Sequence, residues 1–239
     1  MSIAEASAPG AAKRGGRPTR REAEECLKRV LAIAQRHFLT SGYSETSLDA
    51  IAREAGVAKK TLYHHFGSKA GLFGEIVAQC RNSRNAELSN IMLASEEPAH
   101  VLKQVALHLL DFLTRPERVK LHKLVVLEVS RFPKLVRTVL YDRRGLLTGM
   151  EPLRSWFRGA VADGKLGIAD PDLAADQFVH LVLGGIRDRI ILGVVHRPDA
   201  AQRERIADQA VKIFLSGTKN QCAEVRDQNS AIRSLSSVS

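Results

Sequence analysis

Aromatic residues are scarce in this sequence, at 5% of 239 positions, and with leucine, alanine and valine plentiful the balance favours helices over sheets. Cysteine is almost missing. Cys26, Cys80 and Cys222 are odd in number and widely spaced, which argues against a disulfide framework or a zinc site and fits a reducing, cytoplasmic compartment. No run approaches the roughly 20 apolar residues of a membrane span, and residues 1–12 lack the charged-then-apolar order of a signal peptide. Strand alternation and internal repeats are also absent. The chain has no Walker loop, no GxSxG, no HExxH and no Cys/His metal spacing. This argues against an enzyme, and neither cofactor nor metal is expected. Histidines 100, 108, 122 and 180 could converge only in three dimensions.

What is present suits a helical protein with a polyanionic partner. Hydrophobic content of 44% and charged content of 26% are enough for a packed core. The net charge of +10 suggests nucleic acid or an anionic surface, but its distribution says more. Residues 13–21 hold five cations (Lys13, Arg14, Arg17, Arg20, Arg21) and no acid. Residues 55–74 hold three lysines, two histidines and again no acid.

Residues 1–20 are rich in Ala, Gly, Pro and Arg and read as a flexible basic arm. Leu27, Val30, Leu31, Ala34, Phe38 and Leu39 then form one helical stripe, stopped at Ser41-Gly42. Thr46 and Ser47 are both suitable N-caps for a short helix, and Thr46 with Asp49 has capping-box spacing. Gly56 breaks that helix, and a second short one follows over about residues 58–65. Two short helices around a tight turn, with a longer one before them, are the sequence form of a helix-turn-helix. Residues 21–67 are assigned to this headpiece. Ile51, Ala52, Val57, Leu62 and Phe66 face inward, leaving Lys59, Lys60, Thr61, Tyr63 and His64 for an outward face suited to phosphates and base edges.

The stretch SLDAIAREAGVAKKTLYHHFGSKAGLF, with the preceding RHFLTSGYSETS, resembles the TetR family of bacterial transcriptional regulators. The spacing of Ile51-Ala52, Gly56-Val57, Thr61-Leu62-Tyr63, Phe66 and Ser68-Lys69 carries the resemblance. The body, LHKLVVLEVSRFPKL through GKLGIADPDLAADQFVHLVLGG, resembles the AefR-like branch. The resemblance implies a helix entering the DNA major groove, with Tyr63, His64 and Lys69 on phosphates and Ser47 or Thr46 adding a backbone contact. Two departures matter: Ala58 stands where the family often has serine, and Lys60 adds a cation at a variable position. The arm's Lys13-Arg14-Gly15-Gly16-Arg17-Pro18 is similar to minor-groove hooks, so Arg14 and Arg17 are candidate contacts, although a plain solvated tail fits as well.

Residues 68–216 are read as an all-α body for ligand binding and dimerisation. A helix is expected from Ser68 to about Ser95, another through Leu102–Leu113, and a buried one near residues 121–129. A long helical pattern follows from Phe132, interrupted at Pro152, and two last helices span about residues 172–195 and 199–216. Residues 217–239 read as a disordered polar tail. The family resemblance implies that the last two helices pair between subunits of a homodimer. Candidates are Phe178, Leu181, Val182, Gly185 and Ile186 with Ile206, Ala210, Ile213 and Phe214, and Gly184-Gly185 would permit close backbone approach. The same stripes could instead pack within one subunit. His108, Phe112, Leu124, Met150, Trp156 and Phe157 are pocket candidates, and the few charges on those apolar faces suggest a hydrophobic or weakly polar effector. The expected function is a repressor released from a palindromic operator by that effector, with activation or effector-free architectural binding left as alternatives.

Overall fold

The computed structural model describes residues 19–129 and 150–236, with side chains described as far as 128 and 218. Arg14, Arg17 and the part of the pattern begun at Phe132 that precedes residue 150 lie outside the described residues, as does the side chain of Cys222. All regular structure among the described residues is helical. In chain order the helices are α1 (Arg20–Glu45), α2 (Leu48–Ala55), α3 (Lys59–Phe66), α4 (Lys69–Leu93) and α5 (Pro98–Leu113), then α6 (Pro116–Val129), α7 (Glu151–Ala162), α8 (Pro171–Leu183), α9 (Ile186–Ile191) and α10 (Ala200–Ser236).

Helix α1 starts on a reciprocal cap. The Glu22 N–H donates to the Thr19 hydroxyl at 3.3 Å, and the Glu22 carboxylate accepts the Thr19 N–H at 2.8 Å. Val30, Leu31, Ala34 and Phe38 bury one stripe of α1. Gly42 interrupts the helix at φ 82° and turns Tyr43 back into the core. There Phe38, Tyr43 and Phe73 meet with ring centroids 5.1 to 5.7 Å apart, locking α1 to the first turns of α4. Helix α2 packs on α1, where Arg36 and His37 both reach the carboxylate of Glu54 and Arg29 donates to the Ala55 carbonyl at 3.3 Å.

Helix α5 carries the body. Val101, Leu102, Val105, Ala106, Leu109, Leu110 and Phe112 are all buried, so the helix is apolar almost all round and must be enclosed. It is covered by α4, α6, α8 and α10. Phe157 of α7, Phe178 of α8 and Phe214 of α10 form a second aromatic cluster with centroids 5.2 to 6.4 Å apart. Pro152 sits in the first turn of α7, where a missing N–H costs nothing, so this residue starts a helix rather than kinking one.

Two expectations need correction. The helix expected over residues 172–195 is broken: Gly184 (φ 46°) and Gly185 (φ 69°) both adopt left-handed geometry, ending α8 and starting α9 in a new direction. A Cβ on Gly185 would meet nothing within 4 Å, so this glycine is required for its backbone angle, not for close approach. Secondly, α10 continues through residues 217–236, where disorder was expected. That segment is polar but contains no proline and no glycine after Gly217, and extending an existing helix needs no new nucleation.

Candidate functional site

The helix-turn-helix is built as the sequence spacing requires, with one cap exchanged. Ser47, not Thr46, caps α2, its hydroxyl accepting from the Ala50 N–H at 3.4 Å. Thr46 is buried, and its hydroxyl donates to the Gly42 carbonyl at 2.6 Å. The expected Thr46–Asp49 box is therefore not formed, because Thr46 is needed to close the turn behind Gly42. Gly56, left-handed at φ 67°, reverses the chain, and its N–H satisfies the last carbonyls of α2.

Helix α3 buries Leu62 and partly buries Phe66, which fixes the direction of its other face. Lys59, Lys60, Tyr63 and His64 are exposed and Thr61 is half-buried. Tyr63 is 46% exposed, which leaves much of its ring at the surface. Lys59 is ion-paired to Asp49 across the turn at 2.8 Å, whereas Lys60 makes no ion pair among the described residues. Ala58, the N-cap of α3, offers no side-chain bond, so the departure noted in the sequence leaves this helix end uncapped.

Lys69 differs most from its expected part. Its ammonium donates to the carbonyls of Ser44 and Thr46, both at 2.8 Å, and lies 4.9 Å from the centre of the Tyr43 ring. Burial pushes its pKa down. Two of its three donors are thus committed inside the headpiece, so Lys69 holds α4 to the turn before α2 rather than standing free for a phosphate.

The body contains a cavity of about 230 Å³ between α4, α6, α8 and α9. Of the six sequence candidates only Met150 lines it. Phe157 is in the aromatic cluster with Trp156 on its edge, and Phe112 is buried beneath the Arg115 and Arg118 guanidiniums. Leu124 packs on the core, and His108 stands 3.5 Å from Glu87. The lining also differs in character from the apolar one expected. Leu113, Leu121, Val179 and Leu183 share it with Arg84, Arg118, Arg187, His122, His180, Asp176 and Asp188. Burial draws Arg84 down to about 10, and burial with the nearby Arg187 guanidinium holds His122 down to about 4. His122 is therefore neutral at physiological pH.

The residues expected between subunits divide in two. Phe178, Val182 and Ala210 are buried within the single chain, and Phe214 closes the aromatic cluster. Gly185 lies on the cavity wall and Ile186 packs against the core. Leu181, Ile206 and Ile213 remain along an open groove between α8 and α10, with Ile213 49% exposed.

Residues 30–76 match the model of bacterial regulatory proteins of the tetR family, and residues 100–217 match the C-terminal domain of AefR-like transcriptional repressors. This chain belongs to the TetR family. Its relatives include AcrR of Shigella flexneri, an HTH-type transcriptional regulator, at 32% identity over 131 residues, covering 54% of this chain and 61% of AcrR. TtgR of Pseudomonas putida is 28% identical over 183 residues, 74% of this chain and 85% of TtgR. Against the AcrR and BepR relatives, the matched span is about half to three-fifths of their length. Among solved structures, a TetR-family regulator from Mesorhizobium loti superposes with a TM-score of 0.72 at 28% identity, covering 83% of this chain and 98% of that one. The flavonoid-responsive regulator FrrA gives 0.66 at 29% identity, over 81% and 97%. These relatives are transcriptional regulators, not enzymes.

In this TetR-family chain, sequence reading missed the charged cavity wall, although one signal was available. Arg84 falls four residues after Cys80 and four before Leu88, on the buried row of α4, and a cation on a buried row requires an explanation. Among the described residues no helix is long and apolar enough to cross a membrane.

Proposed function

We propose that this TetR-family protein is a cytoplasmic repressor that binds a palindromic operator as a homodimer through α3. A small effector entering the body cavity would release it. The observation that carries the reading is the outer face of α3: Lys60, Tyr63 and His64 exposed on a short helix whose inner face is anchored by Leu62. Ser47 at the start of α2 supplies a second, exposed contact, and Arg14 and Arg17 of the arm extend the footprint toward the minor groove. One headpiece reads few base pairs, so two-fold pairing is the natural arrangement, and the open apolar strip of Leu181, Ile206 and Ile213 is the surface proposed for it.

Effector coupling is supported by the path of α4. Its first turn is held to the headpiece by Lys69 and Phe73, and Cys80 and Arg84 further along it line the cavity. The two ends lie about 16 Å apart at the helical rise of ~1.5 Å per residue. A ligand that favours one setting of α4 would thereby shift the spacing of two headpieces, and about 1–3 kcal/mol of coupling gives roughly 5–150-fold release. FrrA, a flavonoid-responsive regulator of similar fold, and the AefR-like repressor domain support this reading.

Lys60→Ala tests the interface. Salt titration of operator binding should show the slope of log affinity against log salt reduced by about 2, one for each subunit's Lys60, with weaker binding across sequences. An unchanged slope and affinity would remove α3's outer face from the DNA contact.

A further inference from the structure

Arg84, Arg118, Arg187 and His122 all line one small cavity. A cation drawn out of water loses hydration, and burial lowers the pKa of Arg187 accordingly. The carboxylates on the same wall offset this cost for Arg187 only in part. Asp176 is paired with Arg154, whose guanidinium donates to both its oxygens at 2.8 and 3.0 Å, and the exposed Asp188 favours the Arg187 charge without outweighing its burial. Meanwhile Arg187 Nε and His122 Nδ1 are both buried without a hydrogen-bond partner among the described residues. Buried polar atoms in native proteins almost always have partners, so two orphans on one cavity wall point to a group that completes them. Arg187 is brought there by the left-handed pair Gly184-Gly185, which turns α9 away from the line of α8.

We propose that the cavity binds a small organic monocarboxylate. Its carboxylate would sit on Arg187 and His122, and its apolar body would lie against Leu121, Val179 and Leu183. This deepens the effector reading above and rests on it. A planar guanidinium matches a carboxylate in a two-point fork, and Nε is one of the two nitrogens that form it. Neutral His122 can donate from Nδ1 to the same group in the corresponding tautomer. Arg84 and Arg118 add the favourable field. The apolar remainder of the wall, and a volume below the roughly 300–1,000 Å³ typical of drug-sized ligands, call for a compact hydrocarbon body of one charge. The sequence alone suggested a hydrophobic effector; the wall keeps that body and adds the anion.

The test uses the full-length protein with benzoate and hexanoate against their uncharged amides, benzamide and hexanamide, and against inorganic phosphate. Thermal stability and calorimetric affinity are measured for the native chain, Arg187→Gln and Arg187→Lys. The carboxylates should raise Tm in a saturable way and the amides should not. Arg187→Gln should weaken carboxylate binding roughly 10- to 100-fold, the expected loss for a charge-assisted pair, and Arg187→Lys should recover only part of it. Heat-induced unfolding of the unliganded variants checks that each is folded. If the amides bind as well as the acids, if phosphate alone reproduces the shift, or if no probe binds, the inference is overturned. Operator affinity measured in the same samples separates the two readings. Carboxylate binding that leaves operator affinity unchanged supports the anion site and contradicts effector release. Release by the amides alone contradicts the anion site and leaves effector release standing.

Discussion

Phe73→Ala is expected to lower the unfolding free energy by about 3–5 kcal/mol, a large part of the ~5–15 kcal/mol that typically holds a domain together. Phe73 is fully buried, and its ring meets Phe38 at 5.1 Å and Tyr43 at 5.5 Å, both edge-on. Truncation leaves a cavity where α1, the turn after Gly42 and α4 come together. Urea unfolding should show the midpoint falling at a nearly constant slope. Operator affinity should fall too, although Phe73 faces no DNA, because the headpiece loses its fixed seat on α4. Phe73→Leu should keep most of both. A stability loss below about 1 kcal/mol would contradict the aromatic lock.

The second large effect is expected at Gly71. In an ordinary helix, alanine in place of glycine stabilises by up to about 1 kcal/mol. Here the added Cβ would lie 2.0 Å from the carbonyl oxygen of Phe66, which also accepts the Ser68 N–H at 2.7 Å. Nothing at that distance is a flexible side-chain end, so the C-terminus of α3 must move relative to α4. Gly71→Ala should therefore destabilise by more than propensity returns, reversing the usual sign. It should also weaken DNA binding at least tenfold by displacing α3, while a ligand in the distant cavity still raises Tm. Calorimetry and operator titration on the same preparation read both. Normal operator affinity in Gly71→Ala would show that the α3–α4 junction is not rigid.

The helices were legible wherever an apolar stripe ran between clear stops. The second short helix, expected over residues 58–65, spans Lys59–Phe66, and the stripe from Leu102 to Leu113 lies within Pro98–Leu113. Choices between chemically similar neighbours were not legible. Thr46 and Ser47 can both cap a helix, and only the turn at Gly42 decides that Thr46 goes inward. Gly184-Gly185 fits either close packing or a left-handed turn, and one sequence cannot separate the two. Lys69 has the composition of a phosphate contact, yet two backbone carbonyls from 23 and 25 residues earlier claim it. The cavity was least legible, because periodicity reports which residues are buried and not which helices leave space between them. Phe112 and Phe157 are inward as their stripes require but fill core rather than line the space, and His108 is half-buried beside Glu87.

The central claim is that α3, presented by an anchored headpiece, reads DNA sequence in a two-fold assembly. Selecting bound duplexes from a random pool with the purified protein tests it most directly. The account predicts a near-palindromic consensus whose half-sites are centred about one helical turn, or a multiple of it, apart. Retention of duplexes without any shared sequence, at equal affinity, would contradict it.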